Sequence, residues 1–291
     1  MKQLLILSGK GGTGKTTIAS AFIKLADAKA YADCDVDAPN LHLIAGWNIE
    51  PKKEDYYGLP KAEINSELCT QCDKCRQNCR FDAISVDGKY KVDTFACEGC
   101  GVCEYVCPVD AIILKPAVAG KLILYSDEKT VFSTARLKMG SGTSGMLVTE
   151  VKKQMKSAAV DNEIAIIDGS PGIGCPVIAS LSGVDIVLII AEPSISGISD
   201  MERIINTAVK FGIKTAICIN KYDTNLENTE KIEQFCKEQK LPFTGKIPFD
   251  SKAVKAINNG QTIVDINCIS GTAVKEVYHK TINLLLKKGG C

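Results

Sequence analysis

Short apolar runs alternate along most of the chain with longer stretches in which apolar residues recur at every third or fourth position. The short runs are typical of strands buried in a parallel sheet, and the longer stretches are typical of amphipathic helices. The clearest predicted strands are residues 4–7, 164–168, 186–191, 215–220 and 243–247. The predicted helices are residues 16–25, 145–156, 198–211, 229–239 and 273–287. Their alternation predicts an α/β fold with a doubly wound, mostly parallel sheet.

The alternation stops between residues 59 and 118, where long apolar runs give way to cysteines, and this segment repeats itself at an offset of 28 residues. The first copy (about 60–88) carries Ile64, Cys69, Cys72, Cys75, Cys79, Ala83 and Ile84, and the second (about 89–117) carries Val92, Cys97, Cys100, Cys103, Cys107, Ala111 and Ile112. A repeat with ligand-type residues in register predicts a small inserted α+β domain whose core is largely its metal. The α/β domain is then discontinuous, with residues 1–58 and 119–291 on either side of this insert, residues 59–118.

The composition, with 45% hydrophobic and 24% charged residues, is that of an ordinary globular protein. A net charge of +1 provides no overall field that would favour nucleic acid or an anionic membrane. No apolar run approaches the ~18 residues that span a bilayer, and residues 1–7 enter a strand pattern instead of a signal peptide. We therefore expect a cytoplasmic protein with no nucleic-acid partner and no membrane span.

Cysteine is unusually abundant, because the chain has 14 cysteines and eight of them lie between Cys69 and Cys107. Disulfides are one explanation, but in a reducing compartment such a cluster is more typical of a metal site. Most of the other six are expected to be small buried apolar residues: Cys34, Cys175, Cys218, Cys236, Cys268 and Cys291.

Both cysteine runs have the spacing C-x2-C-x2-C-x3-C, which matches the bacterial ferredoxin pattern for two 4Fe-4S clusters. In that pattern the fourth cysteine of each run ligates the cluster held by the other run. The predicted ligands are Cys69, Cys72, Cys75 and Cys107 for cluster one, and Cys97, Cys100, Cys103 and Cys79 for cluster two. Structural zinc is the alternative, although zinc motifs usually pair two C-x2-C knuckles across a longer gap.

Residues 9–16 fit the phosphate-binding pattern G-x4-G-K-[ST] and lie between a predicted strand and a predicted helix. Glycines let backbone N–H groups turn toward phosphate, and the following helix N-terminus adds further donors. The predicted nucleotide-binding residues here are Gly9, Lys10, Gly11, Gly12, Thr13, Gly14, Lys15, Thr16 and Thr17. Lys15 is expected to reach the β- and γ-phosphates of ATP, and Thr16 is expected to bind Mg²⁺ through its hydroxyl.

A general phosphate loop does not require a lysine directly after its first glycine. With Lys10 in that place, residues 9–17 resemble the deviant Walker A motif of the MinD/ParA/Mrp superfamily, to which the nitrogenase iron protein is related. The resemblance implies that Lys10 crosses a dimer interface to the nucleotide of the other subunit and joins Lys15 in catalysis. It also implies a dimer that sandwiches two ATP molecules, formed by two copies or with a paralogue.

Acidic residues in two places resemble the family's switches. Asp35 matches the residue that orients the attacking water and Asp33 the one near Mg²⁺, whereas Asp37 is also explained by a solvated acidic loop. Asp168 ends an apolar run before a glycine-rich turn, so it resembles the Walker B aspartate that holds the Mg²⁺ shell, and residues 169–174 resemble the second switch. Positioning of water and charge supplies most of the catalysis in phosphoryl transfer.

Two later segments resemble the elements that hold the base. Asn220 follows a predicted strand, and its amide has both donors and an acceptor for adenine. Pro248 and Asp250 match the other element near the base, and a plain turn is the alternative for each segment.

Cys175 lies seven residues after Asp168, in the register where the nitrogenase iron protein has a cysteine for a cluster shared across its dimer. That relative uses a second upstream cysteine that has no match here, so Cys175 stays a possible extra thiol site. Cys291 ends the chain after two glycines, as a free thiol or as part of a disordered tail. The helix at 273–287 either packs on the sheet or resembles the membrane-targeting helix of MinD.

Taken together, the chain resembles the iron-sulfur-binding MinD-type ATPases of anaerobic bacteria and archaea. Three functions compete: an ATP-gated electron donor for a redox partner, an assembly ATPase that transfers clusters to an apo-metalloprotein, and a positioning protein with redox sensing. The neutral net charge disfavours the third. Complete ligand sets favour the first, with metalloenzyme maturation as one setting, because permanent clusters suit electron transfer better than donation.

Overall fold

The computed structural model describes residues 1–44, 46–47, 49–159 and 162–287, so Lys288 and Cys291 lie outside the described residues. The strands are β1 (Lys2–Ser8), β2 (Ala30–Asp33), β3 (Lys52–Tyr57), β4 (Lys61–Ile64), β5 (Ile84–Asp87), β6 (Lys89–Val92), β7 (Ile112–Lys115), β8 (Val118–Ser126), β9 (Val131–Leu137), β10 (Ile164–Asp168), β11 (Ile186–Ala191), β12 (Lys214–Asn220) and β13 (Phe243–Ile247). The helices are α1 (Lys15–Leu25), α2 (Lys74–Gln77), α3 (Val102–Tyr105), α4 (Ser144–Ala158), α5 (Cys175–Leu181), α6 (Ile195–Lys210), α7 (Leu226–Glu238), α8 (Ser251–Asn258) and α9 (Ile269–Leu286).

Within the described residues, the main sheet has nine strands in the order β13-β12-β11-β1-β10-β2-β9-β8-β3. The strands from β13 to β9 run parallel, and β8 and β3 continue the sheet in antiparallel pairing. All of β1 after Lys2 is buried, and apolar cores lie on both faces of the sheet. Helices cover both faces, as a parallel sheet requires. The predicted doubly wound, mostly parallel α/β fold is confirmed.

The predicted strands and helices of the α/β fold are all present, but several helices begin three or four residues earlier than the apolar pattern indicated. The cause is side-chain capping, because Ser194, Asn225 and Cys268 each accept a hydrogen bond from the backbone N–H three residues further on. The sheet edge formed by β3, β8 and β9 was not among the predicted strands.

The segment between β3 and β8 forms two small sheets of its own, in which β4 pairs with β7 and β5 pairs with β6. It leaves the main sheet at Tyr57 and returns at Val118, which pairs with Tyr57. Its buried apolar residues are few, and two of them are cysteines: Ala62, Cys75, Ala83, Ile84, Cys97, Ala111 and Ile112. So small an apolar core contributes little stability by itself.

The backbone of this segment has its own internal correspondence at an offset of 28 residues. A shift of 28 residues carries β4 onto β6, α2 onto α3 and β5 onto β7. The same shift relates three pairs of residues with positive φ, namely Gln71 and Gly99, Asp73 and Gly101, and Asp82 and Asp110. The two halves therefore share their turns as well as their cysteine spacing, even where the first half has no glycine.

Candidate functional site

The phosphate loop lies at the centre of the main sheet, between β1 and α1. Gly14 precedes α1 at φ 89° with no capping side chain, so the first N–H groups of the helix stay available to an anion. A methyl group on Gly14 would lie 2.4 Å from the Asn220 amide nitrogen, and one on Gly9 would lie 2.2 Å from Cβ of Asp200. Both glycines are therefore required by close packing around the loop.

Two carboxylates face each other at the ends of β2 and β10. Asp33 and Asp168 are register partners, and both are fully buried. Lys15 is also buried, and its Nζ lies 2.5 Å from Oδ1 of Asp168. Burial alone would lower the pKa of Lys15, but Asp168 and the nearby carboxylates raise it above its ordinary value. The lysine is therefore a permanent cation at the point where phosphate would bind.

The surroundings of Asp168 fit a Mg²⁺–nucleotide complex. Its second oxygen, Oδ2, is buried without a hydrogen-bond partner among the described residues. A buried carboxylate oxygen without a partner is costly unless a ligand or water satisfies it. Thr16, in the first turn of α1, supplies a hydroxyl, so the donor set is the oxygen chemistry that Mg²⁺ prefers.

Asp33 orders the loop that the sequence predicts to be the first switch. Its Oδ1 accepts a hydrogen bond from the N–H of Asp35, and its Oδ2 accepts from the N–H groups of Asn40 and Leu41, each at 3.0 Å. Burial, and secondarily Asp168, raises the pKa of Asp33 to about 7. Asp35 is half-buried beside Asp33, whereas Asp37 is exposed. Of the three predicted switch aspartates, Asp35 alone is both close to Lys15 and open to solvent.

The ammonium of Lys10 lies against its own chain. Its Nζ is 2.7 Å from Oε2 of Glu192 and donates to Oγ of Ser194 at 3.1 Å. Lys221 lies 3.3 Å from the other oxygen of Glu192 and donates to the Gly12 carbonyl at 2.8 Å. Sequence reasoning missed Glu192, although it directly follows β11 at the carboxyl edge of the sheet, where ligand-binding residues of such sheets concentrate.

Of the residues predicted to hold the base, Asn220 lies against the phosphate loop, whereas Pro248 and Asp250 follow the neighbouring strand β13. Asn220 donates to the Thr13 carbonyl at 2.6 Å and accepts from the N–H of Lys221 at 3.0 Å, so in this structure its amide braces the loop. Asp250 caps α8 and accepts from Oγ of Ser270 at 3.1 Å, which ties α8 to the start of α9. Pro248 connects β13 to this cap.

The eight clustered cysteines divide into two sets of four around two cavities. One cavity is lined by Cys69, Cys72, Cys75 and Cys107, and the other by Cys79, Cys97, Cys100 and Cys103. Each set thus combines three cysteines of one run with the fourth cysteine of the other run. Within the described residues, no three His, Cys, Asp or Glu side chains converge as they would around one metal ion.

The local backbone also fits thiolate ligands. The N–H of Gly99 points to Sγ of Cys97 at 3.4 Å, and the N–H of Ala111 points to Sγ of Cys107 at 3.2 Å. Hydrogen bonds to sulfur favour thiolate and tune the potential of a bound cluster. With four thiols around each cavity, the donor sets fit two 4Fe-4S clusters.

A glycine-rich loop, residues 138–143, and the first turn of α4 lie between the second cysteine run and the start of α5. A methyl group on Gly140 would lie 3.0 Å from the ring of Phe95, and one on Gly142 would lie 3.2 Å from a carboxylate oxygen of Glu98. In the first turn of α4, a methyl group on Gly145 would lie 3.1 Å from the carbonyl of Cys175. The loop and the start of α4 therefore approach both regions so closely that a larger side chain at these glycines would meet them.

The remaining cysteines follow the sequence expectation in part. Cys34, Cys218, Cys236 and Cys268 are buried, whereas Cys175 is exposed at the start of α5. Val274, Val277 and Leu285 of α9 are buried, so this helix packs on the sheet. Across the part of the chain that is described, no helix combines the length and apolarity that a bilayer crossing demands.

Comparison with known proteins places the α/β fold in one family. The model of the CobQ/CobB/MinD/ParA nucleotide binding domain matches residues 4–263. The chain is similar in fold to the septum site-determining protein MinD of Pyrococcus horikoshii, whose structure contains Mg-ADP. The TM-score is 0.60 at 17% identity, with 100% of this chain and 99% of that chain covered.

Relatives by sequence add three further findings. An uncharacterised protein of Methanocaldococcus jannaschii is 34% identical, over 96% of this chain and 95% of its own length. An iron-sulfur cluster carrier protein of Pyrococcus abyssi is 24% identical, over 99% of this chain and 88% of its own. A ferredoxin of M. jannaschii is 42% identical over 63 residues, 21% of this chain and 42% of its own. By the family match over residues 4–263, the chain belongs to the CobQ/CobB/MinD/ParA family of P-loop ATPases.

Proposed function

We propose that the protein is a Mg²⁺-dependent, dimeric ATPase that couples its nucleotide state to electron transfer through two 4Fe-4S clusters. The observation that carries the proposal is the division of eight cysteines into two sets of four around two cavities. The segment that holds them interrupts an ATPase fold between β3 and β8. The similarity to a ferredoxin over 63 residues supports the same chemistry.

In the nucleotide site, the motif positions and the local contacts support the following roles. Lys15, which is paired with Asp168 here, exchanges that partner for the β- and γ-phosphates of ATP. Thr16 and Asp168 would hold Mg²⁺, which would supply positive charge beside the phosphates. Asp35, half-buried and next to Asp33, orients water for in-line attack. Asn220, Pro248 and Asp250 form the side of the pocket that receives the base.

The insert supplies the redox chemistry. Cys69, Cys72, Cys75 and Cys107 ligate one cluster, and Cys97, Cys100, Cys103 and Cys79 ligate the other. When bound, each cluster accepts and releases one electron. The residues of this chain contribute four thiolates, N–H groups that point at sulfur, and the small apolar core around them.

Coupling between the two chemistries runs through α4, α5 and the glycine-rich loop. Lys152 of α4 is buried and donates to the carbonyls of Ser180 at 2.6 Å and Ser182 at 2.5 Å, which fixes the end of α5 to α4. A change in the second switch therefore moves α5 and α4 together, and the loop at the start of α4 carries that movement to the second cysteine run. Switches of this kind act by ordering or shifting a packed element.

Dimerisation completes the proposal. Lys10 is held by Glu192 in the described chain, and in the ATP-bound dimer it reaches the nucleotide of the other subunit. Two copies form the simplest such dimer, and a paralogue in place of one copy would preserve the same contacts. Hydrolysis is slow until a redox partner binds.

A second candidate is a cluster carrier that donates its clusters to an apo-metalloprotein. It is favoured by the 24% identity to an iron-sulfur cluster carrier protein over nearly the whole chain. The two candidates differ in whether the clusters remain bound to this chain. Ligation by four thiols on the chain itself supports retention, since donation is easier from an incomplete ligand set.

The test is anaerobic purification followed by iron and sulfide analysis, EPR spectroscopy and incubation with an apo-ferredoxin acceptor with and without ATP. We expect about eight irons per chain, consistent with two 4Fe-4S clusters, reversible one-electron reduction, and no transfer to the acceptor. ATP-dependent loss of iron to the acceptor would establish the carrier instead. A purified protein with no iron and no reconstitutable cluster would overturn both candidates.

A further inference from the structure

A cleft of about 610 Å³ separates the insert from the loop that follows β9. Its lining includes Lys61, Lys91, Phe95, Lys115, Lys138 and Met139, and we call it the basic cleft. It opens into a neighbouring hollow that adds Lys121 and Arg136 and shares the residues from Lys138 to Ser141. The walls of the cleft therefore come from the insert and from the ATPase sheet together.

The cleft concentrates positive charge in a protein whose net charge is only +1. Lys115 is paired with Glu63 at 2.8 Å, and Lys121 is paired with Asp55 at 2.5 Å. Lys91, Lys138 and Arg136 form no ion pair with any part of the chain that the structure describes. Three unpaired cations around one concave surface attract an acidic partner and steer its approach.

Between these cations lies an apolar surface. Phe95 is 67% exposed, Met139 is 91% exposed and Val118 is 38% exposed. Exposed aromatic residues and methionine next to basic side chains are typical of protein-binding surfaces. A nucleic acid is a poorer fit, because Asp37 and Glu63 in the lining would repel phosphates.

The floor of the basic cleft is also the wall of both cysteine-lined cavities. Tyr90 lines the cleft and the cavity of Cys69. Ala62 and Val92 line the cleft and the cavity of Cys97. Lys61, at the edge of the cleft, donates to the Cys97 carbonyl. A single layer of side chains therefore separates a molecule bound in the cleft from each cavity.

We propose that the basic cleft is the docking surface for an acidic electron-carrier protein. Carboxylates of the carrier pair with Lys91, Lys138 and Arg136, and its redox group lies over Tyr90 and Val92. One electron leaves the reduced carrier, which is oxidised, and one 4Fe-4S cluster gains that electron, with no bond made or broken. The proposal rests on the proposed function, because it requires bound clusters.

The test uses reduced flavodoxin, an acidic one-electron carrier, as the probe in anaerobic stopped-flow measurements on the full-length holoprotein. The cleft variant is Lys91→Glu with Lys138→Glu, and the matched control is Lys255→Glu with Lys280→Glu, which makes the same charge change at exposed positions of α8 and α9. We expect about a tenfold lower second-order rate for the cleft variant at low salt, and convergence with wild type at high salt. The control should stay close to wild type.

Two measurements separate this inference from the proposed function. Iron content and reduction by dithionite, a small reductant that needs no docking surface, should be the same in all variants. A protein without clusters would overturn the proposed function, and the docking proposal with it. With clusters present, an unchanged rate in the cleft variant, or an equal fall in the control, would overturn the docking proposal. So would a loss of affinity for a short single-stranded RNA with no change toward flavodoxin.

Discussion

At the residue scale, the buried charges of the nucleotide site determine which carboxyl group is protonated before nucleotide binds. Asp33, Asp168 and Lys15 are all removed from water, and one lysine cannot neutralise two carboxylates. Burial raises the pKa of Asp33 to about 7. Asp33 is therefore the carboxyl group that takes up a proton in this triad, which has two carboxylates and only one lysine.

This pKa shift gives a pH prediction. The folded pKa of Asp33 is about 7, above the ordinary value of 3.8, so between these values the folded state binds more protons than the unfolded state. Stability from this group therefore falls as pH rises toward 7 and levels off above it. An Asp33→Asn variant cannot titrate there, so the advantage of wild type over the variant should shrink between pH 5.5 and about 7.5, measured by denaturant unfolding without nucleotide.

The variant should be less stable at every pH in that range, because one amide oxygen replaces two carboxylate oxygens that accept three backbone N–H groups. Asp37→Asn, at an exposed position of the same loop, is the control and should leave the pH dependence unchanged. A stability difference that stays constant with pH would contradict the assignment of this proton to Asp33.

Lys10 gives the second prediction at this scale. If it reaches the nucleotide of the other subunit, Lys10→Ala should abolish ATP-dependent dimerisation and lower the ATPase rate by about tenfold or more. Sedimentation velocity with and without MgATP measures dimerisation, and phosphate release measures the ATPase rate. Lys231→Ala removes an exposed lysine paired with Glu227 on α7 and should change neither. A monomeric Lys10→Ala variant with the full ATPase rate would refute the sandwich dimer.

At the element scale, the strands that sequence could predict are those buried on both faces. β10 and β11 read as unbroken apolar runs, and the structure buries almost all of each. β3 was missed because only Tyr56 of its six residues is buried and the others are mostly charged. The hairpin of β8 and β9 was missed because much of β8 is only partly buried, so its pattern follows neither strand rule cleanly.

The features of the nucleotide site also divide into those that the sequence could predict and those that it could not. Motif spacing places Lys15, Thr16 and Asp168 because each follows a strand or opens a helix at a fixed position. The ion pair of Lys10 with Glu192 and the close approach of Gly142 to Glu98 join residues far apart in the sequence, so no local pattern predicts them. Such contacts depend on how elements pack, which a single sequence does not specify.

The pairing of the cysteine runs gives a prediction at the element scale. If the fourth cysteine of each run ligates the other cluster, Cys69→Ser with Cys107→Ser disables one cluster, and about half of the iron should remain. Cys97→Ser with Cys107→Ser disables both clusters, and little iron should remain. Iron and sulfide analysis of anaerobically purified protein distinguishes the two, and Cys236→Ala, at a buried cysteine outside the insert, should keep full iron.

The opposite pattern identifies the opposite pairing. Were each run to hold its own cluster with all four of its cysteines, the Cys97 and Cys107 variant would keep half of the iron and the Cys69 and Cys107 variant would keep little. The two cavities predict the first pattern, because Cys107 lines the cavity of Cys69 and not that of Cys97.

At the scale of the whole molecule, the places where the insert meets the ATPase fold determine which movements of that fold can be transmitted to it. It is connected to the main sheet through β3 and β8, and it touches the rest of the chain again at the glycine-rich loop before α4. A nucleotide-driven movement of the second switch therefore has a packed route to Phe95 and Glu98. These two residues lie just before Cys97 and just after it.

This route predicts that MgATP changes the reduction potential of the proposed cluster at Cys97. By linkage, each tenfold preference of ATP for one redox state shifts a one-electron potential by about 59 mV. The shift should be lost in Phe95→Ala with Glu98→Ala, which removes the contacts with the loop and leaves the nucleotide residues in place. Redox titration followed by EPR measures it, and Tyr105→Ala, at a side chain that is 92% exposed, is the control.

Reciprocity supplies an independent check on the same free energy. If ATP binding shifts the potential, reduction must change the affinity for ATP by the same factor, since both measure one coupling between two sites. Equilibrium binding of ATP to reduced and oxidised protein should therefore agree with the titration in wild type, and show no difference in the double variant. A potential shift that survives loss of the loop contacts would mean that the coupling takes the other connection, through β3 and β8.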